Sequence, residues 1–307
     1  MGFFRSILNT NELSQRALTL TAIVINDNPA NYTAWHYRRL CLVSLGVGVG
    51  GELEFTEEIG GENPKNYQVW YHRRALLQGV IDEDGGASKN KDVGLMELEY
   101  ISRVLVEDSK NYHAWSHRQF IVKGFDLYST ESEAKELKFV GDMLMKDLRN
   151  NSAWNQRWFT VHGDKRNYSE GKVLKEDVVA SEIDFTQRLI IKDGYNESSW
   201  KYLLGLVKEQ WGKSEKMSEQ TTTMTTSISK WVQGLISSES EAKKLSPHLL
   251  SFQIDVFDRL GFEGENKESF EIAIGYCDML GGEVDVIREK FWSWKKGILE
   301  GKMNGGA

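Results

Sequence analysis

Apolar positions along this chain recur with the period of an α-helix. Leu98, Ile101, Val104 and Leu105 fall on one helical face, and Leu137, Val140, Met143 and Leu144 repeat the arrangement. Leu13, Ala17, Leu20 and Val24 do the same near the start, so residues 1–27 predict the first helix of a first unit. Each stripe runs into a polar break, such as Asp27-Asn28-Pro29 or Glu107-Asp108-Ser109. An asparagine follows, a residue type favoured at helix starts. A second helix then carries Tyr, Trp and Arg three residues apart, which places them on a common face.

The paired helices repeat. Trp35, Trp70, Trp115, Trp154 and Trp200 each have an asparagine four residues earlier: Asn31, Asn66, Asn111, Asn150 and Asn196. The first four have an arginine three residues later: Arg38, Arg73, Arg118 and Arg157. A second signature begins at Glu52, Glu97, Glu136 and Glu182, as in Glu52-Leu53-Glu54-Phe55, and the next tryptophan always lies 18 residues on. The distance from each tryptophan to the next glutamate is 17, 27, 21 or 28 residues. A constant separation beside a variable one marks a rigid two-helix unit with insertions between units. Stacked hairpins of this kind predict an all-α superhelix, a solenoid in which neighbouring units bury each other's apolar faces, over a single domain of residues 1–307. The 34-residue period of tetratricopeptide arrays does not fit tryptophan spacings of 35, 45, 39 and 46, which argues against that kind of binding scaffold.

Between the units the sequence predicts loops. The glycine-rich run Leu45–Gly51 lacks the flanking elements of a dinucleotide fingerprint and reads as a flexible connection. Ile81–Val93 reads as an exposed insertion, and the Thr- and Ser-rich Lys213–Ser229 as a mobile loop. Unit five has Leu203 in the arginine position. Trp231–Leu299 is helical in period without a clean copy, as expected of a capping region, and Gly301–Ala307 reads as a frayed tail.

Composition narrows the function. A net charge of −7 and few prolines (3) in a chain with 10 tryptophans describe a packed globular protein, and weigh against binding of a nucleic-acid backbone. Two cysteines, Cys41 and Cys277, form no disulfide framework and fit a reducing, cytoplasmic setting. No apolar run is long enough to span a membrane, so no stable membrane insertion is expected. Met1–Ser6 matches the loose myristoylation pattern of Gly2 with Ser6, a short pattern common by chance.

No isolated catalytic constellation stands out. His113 and His117 are four apart on one helix, but Ala114 occupies the position where a zincin carries its catalytic glutamate. The repeated tryptophans read as packing residues, and the repeated arginines as structural, bonded either to carbonyl groups or to the repeated glutamates. The position five before each tryptophan is freer, holding Ala30, Lys65, Lys110, Arg149 and Tyr195. Three successive bases near helix starts either converge on an anion or stand as solvated side chains.

The runs Pro64–Trp70, Lys110–Arg118 and Arg149–Arg157 resemble the α subunits of protein farnesyltransferase and type I geranylgeranyltransferase, and the resemblance extends to Asp285–Trp292. It implies a crescent of helical hairpins wrapped around a β subunit. The heterodimer would transfer a farnesyl or geranylgeranyl group from its diphosphate to the cysteine of a C-terminal CaaX sequence, with Zn2+ held by the β subunit and Mg2+ assisting farnesyl transfer. By the same resemblance Lys65 binds the prenyl diphosphate and Gln68 the CaaX carboxylate. Tyr67 and His113 are placed at the reaction site, and Asn111 and Tyr112 at the substrate. This sequence has less chain before its first unit than such proteins usually carry. It lacks room for the extra domains expected of a Rab geranylgeranyltransferase α subunit, the nearest alternative.

Overall fold

The computed structural model describes residues 2–83, 85–128, 130–169, 173–212, 216–239, 244–264 and 266–305. The chain divides into two compact units, Met1–Val140 and Gly141–Ala307. Among the described residues both units are helical, and the only β pairing is an isolated bridge between Tyr168 and Leu174.

The first unit contains α1 (Gly2–Asn9), α2 (Gln15–Asp27), α3 (Tyr32–Leu45), α4 (Val49–Glu62), α5 (Tyr67–Asp82), the single turn α6 (Gly86–Lys89), α7 (Lys91–Glu107) and α8 (Tyr112–Gly124). Helix α9 (Thr130–Lys146) runs over its end. The second contains α10 (Asn151–Gly163), α11 (Glu176–Lys192), α12 (Glu197–Trp211), α13 (Glu219–Ser238), α14 (Pro247–Gly264), α15 (Lys267–Met279) and α16 (Glu289–Met303). The hairpins α4–α5, α7–α8 and α11–α12 carry the 18-residue spacing, which also runs from Glu136 in α9 to Trp154 in α10, and α2–α3 is the hairpin of the first unit around Trp35.

The repeated residues explain why each hairpin closes. Asn31, Asn66, Asn111, Asn150 and Asn196 are helix caps whose side-chain oxygens accept backbone N–H groups of the following turn. The indole nitrogen of every repeated tryptophan donates to the carbonyl six residues earlier, at 2.7 to 2.9 Å: Pro29, Pro64, Ser109, Leu148 and Gly194. The tryptophan thus locks the turn before its own helix while burying its ring, against Phe55, Tyr100, Phe139 and Phe185 in the first four cases.

Arginine and glutamate join successive repeats. Arg38 grips Glu52 at 2.6 and 2.7 Å, Arg118 grips Glu136 at 2.7 and 2.6 Å, and Arg157 grips Glu182 at 2.7 and 2.6 Å. Both options left open by the sequence are realised, because Arg73 and Arg118 also donate to the carbonyls of Leu53 and Leu98. Each glutamate from Glu52 to Glu182 packs its arginine partner under an aromatic ring, 3.4 to 4.0 Å from guanidinium carbon to ring centre.

Five sequence expectations are corrected. Residues 1–27 form two helices, because Asn11 adopts a left-handed backbone (φ 50°) and Ser14 caps α2. The glycine-rich run ends α3 at Gly46, in the left-handed region that glycine tolerates, but α4 already begins at Val49. Most of the expected 213–229 loop is helical from Glu219, with Thr225, Ile228, Ser229 and Val232 on its buried face; residues 213–215 lie outside the described ones. Ile81–Val93 is largely absorbed by the end of α5, by α6 and by the start of α7, with residue 84 outside the description. The tail is helical to Met303, where Leu299 is buried and Lys302 pairs with Asp258 at 2.7 Å.

Candidate functional site

All six candidate residues lie in the first unit, at the amino ends of α5 and α8. The turns before these helices are built alike: Asn66 and Asn111 each donate a backbone N–H back to the residue three earlier and cap the helix that follows. That shared geometry sets Lys65 and Tyr67 beside Asp108, Tyr112 and His113.

Lys65 projects into solvent with 76% of its side chain exposed, and its Nζ lies 3.1 Å from Asp108 Oδ2. The Lys65 hydrogen bond holds the Asp108 carboxyl below its ordinary range. An ion pair this exposed contributes only about 0–1 kcal/mol, so it fixes the lysine's direction without committing its charge. Tyr67, Tyr112 and His113 form an aromatic cluster. Tyr67 is 6.2 Å from His113, His113 is 5.7 Å from Tyr112, and Tyr67 stacks on Tyr71 at 5.9 Å. Gln68 is half-buried, and among the described residues its side-chain amide has no hydrogen-bond partner.

Asn111 sits differently from the other five. It is 2% exposed; its Oδ1 accepts from Ala114 N at 3.2 Å, and its Nδ2 donates to the Pro64 carbonyl at 2.9 Å. The amide is engaged within the protein, tying the start of α8 to the turn that carries Lys65. Both ends of the Asn111 amide are thus taken up by backbone groups of the protein itself.

The three-base reading also changes. Arg149 forks onto Asp193 at 2.7 and 3.1 Å, so Lys65 and Arg149 each pair with an aspartate of the next repeat. Both aspartates stand seven residues before a tryptophan, and where the base is replaced by Ala30 the matching residue is Asn63. That correlation was the available signal for Asp108, which sequence reasoning missed. Tyr71 was missed as well, although it lies one helical turn beyond Tyr67.

His113 and His117 do not act as a metal pair. His117 is buried beneath Trp70 and Phe120, and its Nε2 bonds Glu97 at 2.8 Å. His72 makes the same bond to Glu52 at 2.7 Å. Burial pushes the pKa of both histidines down, outweighing the carboxylates beside them. Burial alone would raise Glu97, but the hydrogen bonds from His117 and Arg73, with the Arg73 charge, bring its carboxyl to about 2. Burial pushes the Cys277 thiol up to about 11. Among the described residues no three His, Cys, Asp or Glu side chains are gathered into a metal site. A large open cavity of 1490 Å³ lies in the second unit between α11, α12 and α13 and contains none of the six candidates. Among the described residues no helix is long and apolar enough to cross a membrane.

A model of the protein prenyltransferase alpha subunit repeat matches residues 14–45, 50–80, 95–125 and 133–163, the sequence units around Trp35, Trp70, Trp115 and Trp154. The Pisum sativum protein farnesyltransferase/geranylgeranyltransferase type-1 subunit alpha is 37% identical over 304 residues, covering 97% of this chain and 84% of the pea protein. The chain belongs to the protein prenyltransferase α-subunit family. The Solanum lycopersicum member of the same description is 48% identical over a shorter stretch of 61 residues, 20% of this chain and 18% of the tomato protein. Among solved structures, Candida albicans protein geranylgeranyltransferase-I complexed with GGPP superposes with a TM-score of 0.76 at 27% identity, over 97% of this chain and 89% of that one. In a member of this family the repeats form the frame, and Lys65 and Gln68 stand on it at positions that the other hairpins fill freely.

Proposed function

We propose that this chain is the α subunit of a heterodimeric protein prenyltransferase of the farnesyl and type-1 geranylgeranyl class, working in the cytoplasm with a β subunit. The enzyme transfers the prenyl group from its diphosphate to the cysteine thiol of CaaX-terminated proteins. Residues 1–307 serve it as one repeat domain, since the constant 18-residue spacing continues from Glu136 to Trp154 across the division between the compact units.

The observation that carries this reading is that one helix start presents both an exposed, lightly held Lys65 and a Gln68 whose side chain has no partner among the described residues. The Lys65 ammonium stabilises the diphosphate as negative charge builds on it during transfer. Leaving Asp108 costs it little, because the exposed pair is weak and the incoming anion carries more charge. The Gln68 amide donates to the C-terminal carboxylate of the acceptor peptide and so orients it. Tyr67, Tyr112 and His113 wall this end of the site, and Asn111 holds the two turns in register. Zn2+ is assigned to the β subunit, and Mg2+ to the diphosphate during farnesyl transfer. Among the described residues of this chain no three His, Cys, Asp or Glu side chains are gathered to hold either metal.

Co-expression tests the assignment. With a cognate β subunit the chain is expected to copurify as a one-to-one complex that prenylates a CaaX peptide, and expressed alone it should be inactive. A complex with no transferase activity toward either prenyl diphosphate would contradict the assignment.

A further inference from the structure

The arginines of this chain are almost all neutralised. Among the described residues they pair with carboxylates, with three exceptions: Arg5, Arg39 and Arg74. Arg5 is exposed near the amino end of the chain. Arg39 and Arg74 occupy the same place in successive repeats, four residues after Trp35 and Trp70. In a chain with 45 acidic and 38 basic residues, two equivalent cations without an acidic partner are not explained by a shortage of carboxylates.

Both guanidinium groups are held ready rather than free. Arg39 is half-buried, 5.0 Å from the centre of the Tyr71 ring, and its Nη1 donates to His72 Nδ1 at 3.3 Å. His72 accepts there because its Nε2–H is used on Glu52, at 2.7 Å, and Glu52 is already held by Arg38. The cluster of Arg38, Arg39, Glu52 and neutral His72 therefore carries one uncompensated positive charge. Burial lowers the Arg39 pKa, the direction expected of a partly desolvated cation without a counter-ion. One of its five N–H donors is used, and the others have no partner among the described residues. Arg74 is exposed and lies 4.4 Å over the Phe120 ring. A ring behind a guanidinium fixes its plane and leaves the fork of donors facing outward, the geometry that takes a carboxylate with two hydrogen bonds.

The same repeats also expose tyrosines. Tyr32, Tyr67 and Tyr112, each three residues before its tryptophan, are 71%, 59% and 76% exposed. Tyrosine and arginine are the residue types that carry binding energy at protein interfaces. We propose that Arg39 and Arg74 are two carboxylate sockets that seat acidic side chains of the β subunit, a step that rests on the heterodimer reading above. Seating supplies the missing counter-charge at Arg39 and ties assembly to two successive repeats.

The test uses the co-expressed heterodimer, diluted and counted by mass photometry. R39Q and R74Q should each dissociate on the order of 10-fold more readily at about 50 mM salt, and the double variant on the order of 100-fold. The difference should narrow at about 300 mM salt, where screening has already weakened the wild-type contact. R39K, which keeps the charge and loses the fork, should recover part of the affinity, and R5Q should match the wild type. A double variant with wild-type dissociation at both salt concentrations overturns the proposal. So does a loss that R39K does not relieve and that comes with a lowered melting temperature, which would assign Arg39 to the fold. A wild-type chain that forms no heterodimer would overturn the functional reading and this inference together. A wild-type heterodimer insensitive to the two substitutions overturns this inference alone.

Discussion

Arg73 donates through Nε and Nη2 to the two oxygens of Glu97, at 2.8 and 2.5 Å, in a site where neither side chain is more than 2% exposed. A buried pair of this kind is weak evidence of net stabilisation, because desolvation offsets much of the attraction. Breaking it is another matter. Glu97→Ala would leave the Arg73 cation buried, and the expected cost is about 3–5 kcal/mol. Replacing both residues by apolar ones of similar size, as in R73M/E97L, should recover most of that loss. Chemical denaturation of the two variants checks the contrast, and equal losses would contradict it.

Acid should weaken the fold in two stages. His72 and His117 have pKa values lowered by burial, so the unfolded chain binds their protons first. Their contribution is present above the unfolded value of about 6.5 and falls away as pH drops from there toward the lowered folded values. Glu97, held at about 2, adds a second loss as pH falls from about 4.5 toward that value. Melting temperature between pH 8 and pH 5 should therefore decline, and the H72Q/H117Q variant should show a flatter profile. A decline of the same slope in that variant would contradict the assignment.

Asn111 and Asn66 cap equivalent helices, but Asn111 also bonds the Pro64 carbonyl of the preceding repeat. Asn66→Ala should cost about 1 kcal/mol, the usual value of a cap, and Asn111→Ala roughly 2 kcal/mol. Because Asn111 joins the turn holding Lys65 to the start of α8, its loss should also reduce prenyl transfer. Paired denaturation and turnover measurements would show both effects.

Gln68→Ala should raise the KM for a CaaX peptide by about 10-fold, with little change in stability, since its side chain has no partner among the described residues. The KM for the prenyl diphosphate should stay as in the wild type. An equal rise in both would remove Gln68 from the peptide carboxylate.

Much of this architecture was legible because its determinants lie within one hairpin. The tryptophan–carbonyl bond spans six residues in every repeat, and the 18-residue interval is fixed by a two-helix turn. The arginine–glutamate contacts were harder to read because the partners lie 14, 24, 18 and 25 residues apart. Only the packing of one repeat on the next brings them together. Helix α13 was misread for a different reason: its buried face uses Thr225 and Ser229, which meet Trp211 and Gln253 through hydrogen bonds. Polar residues satisfied in that way leave no apolar stripe. At the site, Lys65 and Gln68 stood out as positions the fold leaves free. Asp108 did not, because it reads as an ordinary turn residue until the neighbouring helix start is set beside it.

The central claim is that Lys65 serves chemistry and not the fold. Its exposed pair with Asp108 limits its structural contribution, so Lys65→Ala should change stability by about 0–1 kcal/mol and leave the heterodimer intact. Single-turnover prenyl transfer by that heterodimer, at saturating peptide and prenyl diphosphate, is the most direct measurement. The rate constant should fall on the order of 100-fold. An unchanged rate constant in an intact Lys65→Ala heterodimer would contradict the claim.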